Sequence, residues 1–493
     1  MATQKIPESL SHKPSEMPSV RRNLVLVICC ASIFIVGMDV SILNVALPSI
    51  QRDFHASISG AQWTLDAYTL VLACFLMVSS STADRIGRRR VFQIGLSLFA
   101  LGSLLCSIAP GIGWLIVFRM LQAVGGSMLN PVALSIISNT FIEPNERARA
   151  LGIWGGIVGV SIAAGPILGG VLIESIGWRS IFWINVPIGI AALLLAGRFV
   201  PESKAPHARR FDPVGQIFVV ALLGLLIYGI IEAPSHGWNS FEILGCLIGA
   251  AVFLVGLVGY ERVHTEPLID VRFFRSAPFS GAAIIALGTF LALGGYLLLN
   301  TFYLQDIRHF SPIQAGAALL PMAALMAIFG PLSGRVVGRY GPRGPLLLGG
   351  GAIALAGLLA AIPQSNPATI SLYTSYALMG LGIGCINPAI SNTALAGMPR
   401  YQAGVAAGIA STMRQLGSAL GVAIIGSVIA SHVTQLTASN GFTDAYRISW
   451  GIIAGSGFVL LVFGFITTGA WAKRTASRNA ERMEVELENP ATT

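Results

Sequence analysis

The sequence predicts an all-α polytopic membrane protein in which two related six-helix bundles flank two inserted helices. The first observation is composition: 54% of the 493 residues are hydrophobic and 11% are charged, whereas an ordinary soluble domain has about 25% charged residues. The second is that the apolar residues form continuous blocks of about 20, which is the length that crosses a hydrocarbon core. The third is an internal duplication of the chain. Because the blocks are continuous and not alternating, a β-barrel is excluded.

Fourteen apolar spans place both chain termini on one side of the membrane. Cytoplasmic loops carry an excess of Lys and Arg, and most of the 31 basic residues lie in the tails and the alternate loops on the side of the termini. This asymmetry predicts cytoplasmic termini and accounts for the net charge of +9 without a nucleic-acid partner. The predicted spans are 24–47, 60–82, 91–109, 112–135, 149–173, 181–200, 214–232, 241–260, 280–304, 313–334, 344–363, 367–391, 404–430 and 447–471.

Three short motifs recur along the chain at displacements of 254, 257 and 256 positions, which indicates an internal duplication. The displacement covers eight spans, an even number, so the two repeats have the same orientation in the membrane. If each repeat has six spans, the seventh and eighth spans are left between them. The motif pairs are the loops 83–90 and 337–343, Asn130-Pro131 and Asn387-Pro388, and Gly152, Ser161, Gly165 and Gly408, Gly417, Gly421.

The duplication divides the chain into five predicted regions. They are a cytoplasmic N-terminal tail, a first six-helix bundle, two extra transmembrane helices with cytoplasmic linkers, a second six-helix bundle and a cytoplasmic C-terminal tail. Their predicted bounds are 1–22, 23–200, 201–275, 276–472 and 473–493.

Motifs spread over most of the chain form one recognisable set. Met38 to Ser41 and Asn44 to Pro48 lie in the first span, and Ser80 to Arg90 lies in the loop after the second. Further motif residues are Arg119, Gln122 and Gly125; Gly152, Ser161, Gly165, Pro166, Gly169 and Gly170; Trp178, Arg179 and Ile184 to Pro187; and Arg414 to Gly417. Together they resemble the fourteen-span drug:proton antiporter family of the major facilitator superfamily, with Ser41 where Thr is usual and Ser161 where Gly is usual.

This resemblance implies the major facilitator fold with 14 transmembrane helices, and the export of a small molecule in exchange for protons as two bundles rock. We therefore predict a multidrug exporter of small amphipathic drugs, antibiotics or a natural product, driven by the proton motive force across a bacterial plasma membrane. Its expected partners are its substrate, protons and the lipid bilayer, and it is expected to act as a monomer. The alternative is a proton-coupled importer or symporter of a small metabolite, against which the fifth-span motif and the two extra spans argue.

Motifs typical of enzymes do not occur in the sequence. It contains no nucleophile triad, no HExxH and no phosphate-binding loop, and its six Cys lie in apolar spans without metal-ligand spacing. We therefore predict no enzyme activity, no cofactor and no metal site. A membrane enzyme or receptor remains a third hypothesis, and recovery of chemically unaltered substrate would separate a transporter from it.

Four ionisable residues lie well inside the predicted spans: Asp39, Asp66, Arg119 and Arg414. Each costs about 2.5–3.5 kcal/mol at mid-membrane, so a functional role is expected. At a rise of about 1.5 Å per residue, Asp39, Asp66 and Arg119 share one layer of the membrane. Arg414 lies near mid-membrane, and a carboxylate, an anionic substrate group or backbone carbonyls are all open as its partner.

We hypothesise that Asp39 or Asp66, partnered by Arg119, carries the coupling proton. A carboxylate beside Arg119 stays ionised, whereas desolvation in a closed state favours its protonated form. Asp39 is preferred because it matches the family motif, and the alternative is a static ion pair that fixes helix packing. In the second repeat Tyr376 takes the position of Arg119, so proton handling is expected in the first bundle.

The loop after the second span is predicted to form a cytoplasmic gate made of Asp84, Arg85, Gly87 and Arg88. Asp84 can meet helix N-termini or arginines of the other bundle and hold one conformation. Gly87 suits a turn that needs a positive φ angle. The alternative is that the positive charges act only as a topology anchor.

The fifth span is predicted to kink and to pack closely at a dry bundle interface through Gly165, Pro166, Gly169 and Gly170. Ordinary helix packing is the alternative for these residues. Other polar side chains are candidates for the substrate cavity or for hydrogen bonds between helices, namely Asn44, Tyr68, Gln122, Asn130, Asn387 and Arg414.

Overall fold

The computed structural model describes residues 18–204, 212–264, 269–361, 369–396, 398, 403–433 and 438–488. In this described part, fourteen segments are helices long and apolar enough to cross a membrane, which confirms the predicted all-α fold. The sixth and the tenth span each consist of two consecutive helices. In chain order the helices are α1 (Ser19–Phe54), α2 (Ile58–Ile86), α3 (Arg88–Ser107), α4 (Ile112–Thr140), α5 (Pro144–Ser175), α6 (Ser180–Trp183), α7 (Asn185–Phe199), α8 (Pro213–His236), α9 (Phe241–Val263), α10 (Ala277–Phe302), α11 (Pro312–Ala318), α12 (Leu320–Tyr340), α13 (Arg343–Ala361), α14 (Thr369–Leu395), α15 (Ala403–Val433), α16 (Ala438–Thr467) and α17 (Ala470–Glu488).

An even number of spans returns the chain to the side of the membrane on which α1 begins. We call this the terminal side and the opposite one the far side. The turn after the second span and the turn after the tenth span lie on the terminal side, and both contain a glycine with positive φ, Gly87 at 120° and Gly341 at 86°. Residues with a Cβ rarely adopt such angles. The two glycines are 254 positions apart, so the duplication extends to the backbone of these turns.

Each bundle contains a closely packed helix pair that the duplication repeats, α1 with α5 and α10 with α15. A Cβ on Gly37 would overlap the Ser161 side chain, and a Cβ on Gly294 would overlap the Ser418 backbone. The second pair lies 257 positions after the first. Small residues allow helix backbones to approach closely in a membrane, and the same approach is built into both repeats.

The two bundles meet at the far-side halves of their helices. A Cβ on Gly170 of α5 would lie 2.6 Å from the Pro312 carbonyl oxygen of α11, and Gly316 of α11 packs on the Pro166 carbonyl of α5. The terminal-side halves differ. Among the described residues, no heavy atom outside the glycine's own stretch of helix backbone lies within 4 Å of the Cβ position of Gly152, Gly155, Gly156 and Gly159 on α5, Gly338 on α12 and Gly408 on α15.

A second contact between the bundles joins α2 to α15. The amide nitrogen of Gln62 donates to the Val422 carbonyl at 3.2 Å. Nearer the far side, Gln305, in the π-helical turn after α10, donates to the Val45 carbonyl of α1 at 2.8 Å. These hydrogen bonds and the α5–α11 contact close the far side of the molecule.

The inserted helices α8 and α9 form an antiparallel hairpin, and α8 lies beside the seam between α2 and α15. Beyond the second bundle, α17 forms a further helix on the terminal side, where the Thr475 hydroxyl accepts a hydrogen bond from the Ala277 amide at 3.0 Å. The predicted N-terminal tail lies outside the described residues up to position 17, and Ser19–Arg22 already belong to α1.

Candidate functional site

Asp39 and Arg119 form a buried ion pair in the core of the first bundle. Helices α1 and α4 place them there, each side chain 1% exposed or less. Gln122, three residues after Arg119, bridges the pair: its amide nitrogen donates to Asp39 at 2.8 Å and its amide oxygen accepts from Arg119 at 2.6 Å. The structure therefore brings together three of the residues that the sequence singles out.

Two residues that the sequence reasoning did not assign to the site complete this network. Asn185, the first residue of α7, donates to Asp39 at 2.8 Å, and Ser103 of α3 accepts from Gln122 at 2.7 Å. Asp39 thus accepts hydrogen bonds from three side chains, one of them a guanidinium, and hydrogen bonds that involve charged groups are stronger than neutral ones. Asn185 and Ser103 are each a polar residue in an otherwise apolar span, and this is the feature of the sequence that could have pointed to them.

Arg119 also packs against α2. Its Nε donates to the Thr64 carbonyl at 3.2 Å, and its guanidinium carbon lies 4.0 Å from the centre of the Tyr68 ring. Thr64 and Tyr68 are four residues apart and therefore share one face of α2. Asp66 lies midway between them, about 200° around the helix. It is at the level of the ion pair, as predicted, but it points away from Arg119.

Asp66 lies on the face of α2 that packs against α15. Gln62, one turn earlier, donates to the Val422 carbonyl, and Leu70, one turn later, packs in the same cluster as the α15 residues Ala419 and Ala423. The Asp66 side chain is completely buried, and neither carboxylate oxygen has a hydrogen-bond partner in the described part of the chain. The Thr69 hydroxyl beside it donates to the Asp66 backbone carbonyl at 3.2 Å.

The predicted gate residues lie where α2 turns into α3. Gly87 has the positive φ that the sequence predicted, and Arg85 lies in the last turn of α2. Arg88 donates to Asp84 at 2.9 Å, an ion pair between residues four apart. The described partner of Asp84 therefore belongs to its own loop and not to the second bundle.

A residue outside the predicted gate fastens this turn to the linker after α7. The Glu202 carboxylate accepts from the Arg89 backbone amide at 3.1 Å, and the Arg88 amide donates to the Ser203 carbonyl at 2.9 Å. An acceptor at the start of α3 satisfies a backbone donor that the helix leaves free. Glu202 was not predicted, because nothing in its local sequence shows which helix it will meet.

The fifth-span residues are closely packed on two sides. Gly165 meets the Ser41 side chain and Gly169 meets Ile42, both on α1, whereas Gly170 and the Pro166 carbonyl meet α11. Helix α5 is continuous across Pro166. The segment therefore contacts α1 and the second bundle on two adjacent faces, about 100° apart around the helix.

The remaining cavity candidates are dispersed. Asn44 donates to the Val40 carbonyl at 3.1 Å, within its own helix, and Asn130 and Asn387 are half-buried on α4 and α14. Arg414 of α15 donates to the Ser391 hydroxyl at 2.8 Å and to that of Ser411 at 3.4 Å. These described partners are hydroxyls, neither a carboxylate nor a backbone carbonyl, and an anionic substrate group stays a prediction.

Two homologous six-span bundles, joined along one side and bearing a charged network inside the first, define a membrane transporter. The chain belongs to the Major Facilitator Superfamily, whose family model matches residues 29–422. It is 39% identical over 409 residues to the multidrug resistance protein Stp of Mycobacterium tuberculosis, covering 83% of this chain and 76% of that protein. It is 35% identical over 430 residues to the tetracenomycin C resistance and export protein of Streptomyces glaucescens, covering 87% and 79%.

The fold is also that of solved transporters. A bacterial homologue of the human lysosomal transporter Spinster, in an inward-facing and unoccupied conformation, superposes with a TM-score of 0.62. The match covers 94% of this chain and 99% of that one at 17% sequence identity. At this identity the likeness concerns the fold alone.

Proposed function

We propose that this protein exports small amphipathic molecules in exchange for protons and that Asp66 carries the coupling proton. The observation that supports this is the position of Asp66, fully buried at the seam between α2 and α15 without a described hydrogen-bond partner. An ionised carboxylate in such a place is costly, and uptake of a proton removes the cost. Opening of the seam to water lets the proton leave, so protonation and bundle movement are linked.

Asp39 then has a different role from proton coupling, which was the role favoured by its match to the family motif. Its carboxylate accepts hydrogen bonds from Arg119, Gln122 and Asn185, which connect α1 to α4 and α7. We assign the Asp39–Arg119 pair to the positioning of α1, α4 and α7 around the coupling site. This corresponds to the alternative given in the sequence analysis, a static ion pair that fixes helix packing.

The cargo class rests on the relatives and on the cavity candidates. The names of the two relatives describe multidrug resistance and the export of tetracenomycin C, which favours export of drugs, antibiotics or a natural product. Arg414, Asn130 and Asn387 are half-buried and are proposed to contact cargo. The protein is proposed to act as a monomer.

The proposed orientation follows the basic residues. With the termini cytoplasmic in a bacterial plasma membrane, the closed far side is external and the protein opens inward. The turn of Asp84, Arg85, Gly87 and Arg88 is then a cytoplasmic gate, and Gly165, Pro166, Gly169 and Gly170 form the face of α5 on which the second bundle moves. The five predicted regions of the chain serve as its domains.

The test is accumulation of a fluorescent lipophilic cation in everted membrane vesicles energised with a proton gradient. Asp66→Asn keeps the size of the side chain but cannot exchange a proton, so we expect gradient-driven accumulation to be lost. Asp53→Asn is the matched control, because Asp53 is 45% exposed at the far side, where it pairs with Arg179. The Asp53 variant should retain transport.

Three results would contradict the proposal. Asp66→Asn vesicles that accumulate dye with unaltered proton dependence would remove Asp66 from coupling. Wild-type vesicles that accumulate dye undiminished after the gradient is collapsed would remove proton coupling altogether. Accumulation in right-side-out but not everted vesicles would identify an importer.

A further inference from the structure

Helix α8, the first inserted helix, is attached to the two bundles by different chemistry. Polar bonds join it to α2 of the first bundle. The Trp63 indole nitrogen donates to Glu232 at 2.9 Å near the far side, and Gln216 donates to the Cys74 carbonyl at 2.7 Å nearer the terminal side. The second oxygen of Glu232 accepts from the Ser235 hydroxyl at 3.1 Å, so the carboxylate is held in place by two donors.

The described contacts of α8 with α15 of the second bundle are apolar. Ile227 and Ile231 pack against Ala419 and Ala423 in one cluster, and Leu416 packs nearer the terminal side with Leu223 and Val219. Hydrogen bonds are directional and fix one geometry, whereas apolar contacts are non-directional. Hydrogen bonds thus fasten α8 to α2, whereas its described contacts with α15 are apolar packing.

The two polar bonds lie on either side of Asp66 along α2. Trp63 is three residues before Asp66 and Cys74 is eight residues after it, so the bonded segment spans about 16 Å of helix. At the same level α8 packs over both α2 and α15 through Trp63, Leu70 and Leu420. It therefore covers the seam into which Asp66 points.

We propose that α8 is a seal that belongs mechanically to the first bundle, that it slides over α15, and that Glu232 and Gln216 are the positioning residues that keep Asp66 dry in the closed seam. The inference rests on the proposed function, because it takes Asp66 as the coupling carboxylate. Around Asp66, α15 presents the carbonyl bonded by Gln62, α8 presents Glu232 bonded to Trp63, and α4 presents Arg119 behind Tyr68.

The test uses purified full-length protein in liposomes that contain a pH-sensitive dye, with a proton gradient and no cargo. We expect the variant with both Glu232→Leu and Gln216→Leu to leak protons several-fold faster than the wild type, because water reaches Asp66 when α8 loosens. Adding Asp66→Asn to this variant should abolish the leak. Glu242→Leu is the matched control: Glu242 lies on α9, where it bonds Tyr228 and not α2.

A second measurement follows the position of α8 directly. Spin labels at the exposed positions Val214 of α8 and Ile94 of α3, in a background without the six native Cys, should give a narrow distance distribution. The Glu232→Leu, Gln216→Leu pair should broaden it, and Glu242→Leu should not.

The outcomes separate the two proposals. If α8 loosens and no leak appears, the seal is refuted. If the label distribution stays narrow and the leak is absent, Glu232 and Gln216 do not position α8 and the inference is equally refuted. If the wild type transports cargo without proton dependence, the proposed coupling fails, whereas the label distances still report whether the polar bonds fasten α8.

Discussion

The cores of the two bundles occupy equivalent positions of a duplicated chain but are built from different chemistry. Asp39 and Arg119 of the first bundle correspond, 257 positions later, to Tyr296 and Tyr376 of the second. The first two side chains form an ion pair. The second two stack edge to face, with ring centres 5.4 Å apart and an interplanar angle of 88°. All four are buried.

The comparison shows that the two bundles share their helix packing but differ in the side chains of their cores. Both retain the close α1–α5 type of helix approach, at Gly37 with Ser161 and at Gly294 with Ser418. The buried Asp39–Arg119 ion pair lies in the first. In the second, Tyr376 donates to Asn300, and the Tyr296 ring packs on that of Trp450 with centres 5.7 Å apart. The shared packing supports a common movement of the bundles, and the unequal cores place the ion-pair chemistry in the first bundle.

The largest difference between the two cores should appear on removal of Arg119. Arg119→Met leaves Asp39 buried without its cation, and we expect the free energy of unfolding to fall by about 3–5 kcal/mol, read as a lowered melting temperature in detergent. Adding Asp39→Asn removes the stranded charge and should recover part of the loss. A double variant as unstable as the single one would show that the charge is not the cause.

A smaller effect is expected at a close helix approach in each bundle. Gly165→Ala and Gly421→Ala each place a methyl group against a neighbouring helix, which costs about 1–3 kcal/mol by overpacking. The measurement is again thermal unfolding. A melting temperature equal to that of the wild type would show that the helices do not approach closely at that glycine.

The matched controls for these glycines lie on the same two helices. Gly155 of α5 and Gly408 of α15 have no described heavy atom outside their own stretch of helix backbone within 4 Å of the Cβ position. Alanine at either site should therefore not lower the free energy of unfolding. It is expected to raise it by up to about 1 kcal/mol, because alanine favours the helix more than glycine does. Destabilisation at these sites would mean that the terminal-side halves are packed in the membrane.

The smallest effect is expected in the second core. Tyr376→Phe removes the hydroxyl that bonds Asn300 but keeps the ring stack, and side-chain hydrogen bonds in membranes contribute about 0.6 kcal/mol on average. The melting temperature should fall slightly, with Tyr373→Phe on the same helix as the control. A loss comparable with that of Arg119→Met would contradict the contrast between the two cores.

Much of the architecture was predictable from the chain alone. The number of spans follows from the length of the apolar blocks, since backbone groups in lipid must be paired within helices. The duplication follows from three motifs at nearly equal displacement. The pairing of Asp39 with Arg119 was open to prediction for a similar reason, because charges at one depth in lipid are costly unless they meet.

The direction in which Asp66 points was not predictable in this way. Spans that are apolar on nearly all sides carry little periodicity to mark the face that meets a given neighbour. The rotation of α2 about its axis is set by its neighbours, which turns Thr64 and Tyr68 towards Arg119 and leaves Asp66 facing α15. The same holds for Asn185, Glu202 and Glu232, whose partners are more than a hundred residues away along the chain.

The sequence by itself therefore determined the membrane-spanning helices, their number, the duplicated order and the depth of each charge, because these depend on the burial of the chain in lipid. Only the tertiary structure decided which charges meet, which carboxylate is left without a described partner, and that α8 lies over the seam. These depend on how each helix is rotated and packed against helices that are distant in sequence.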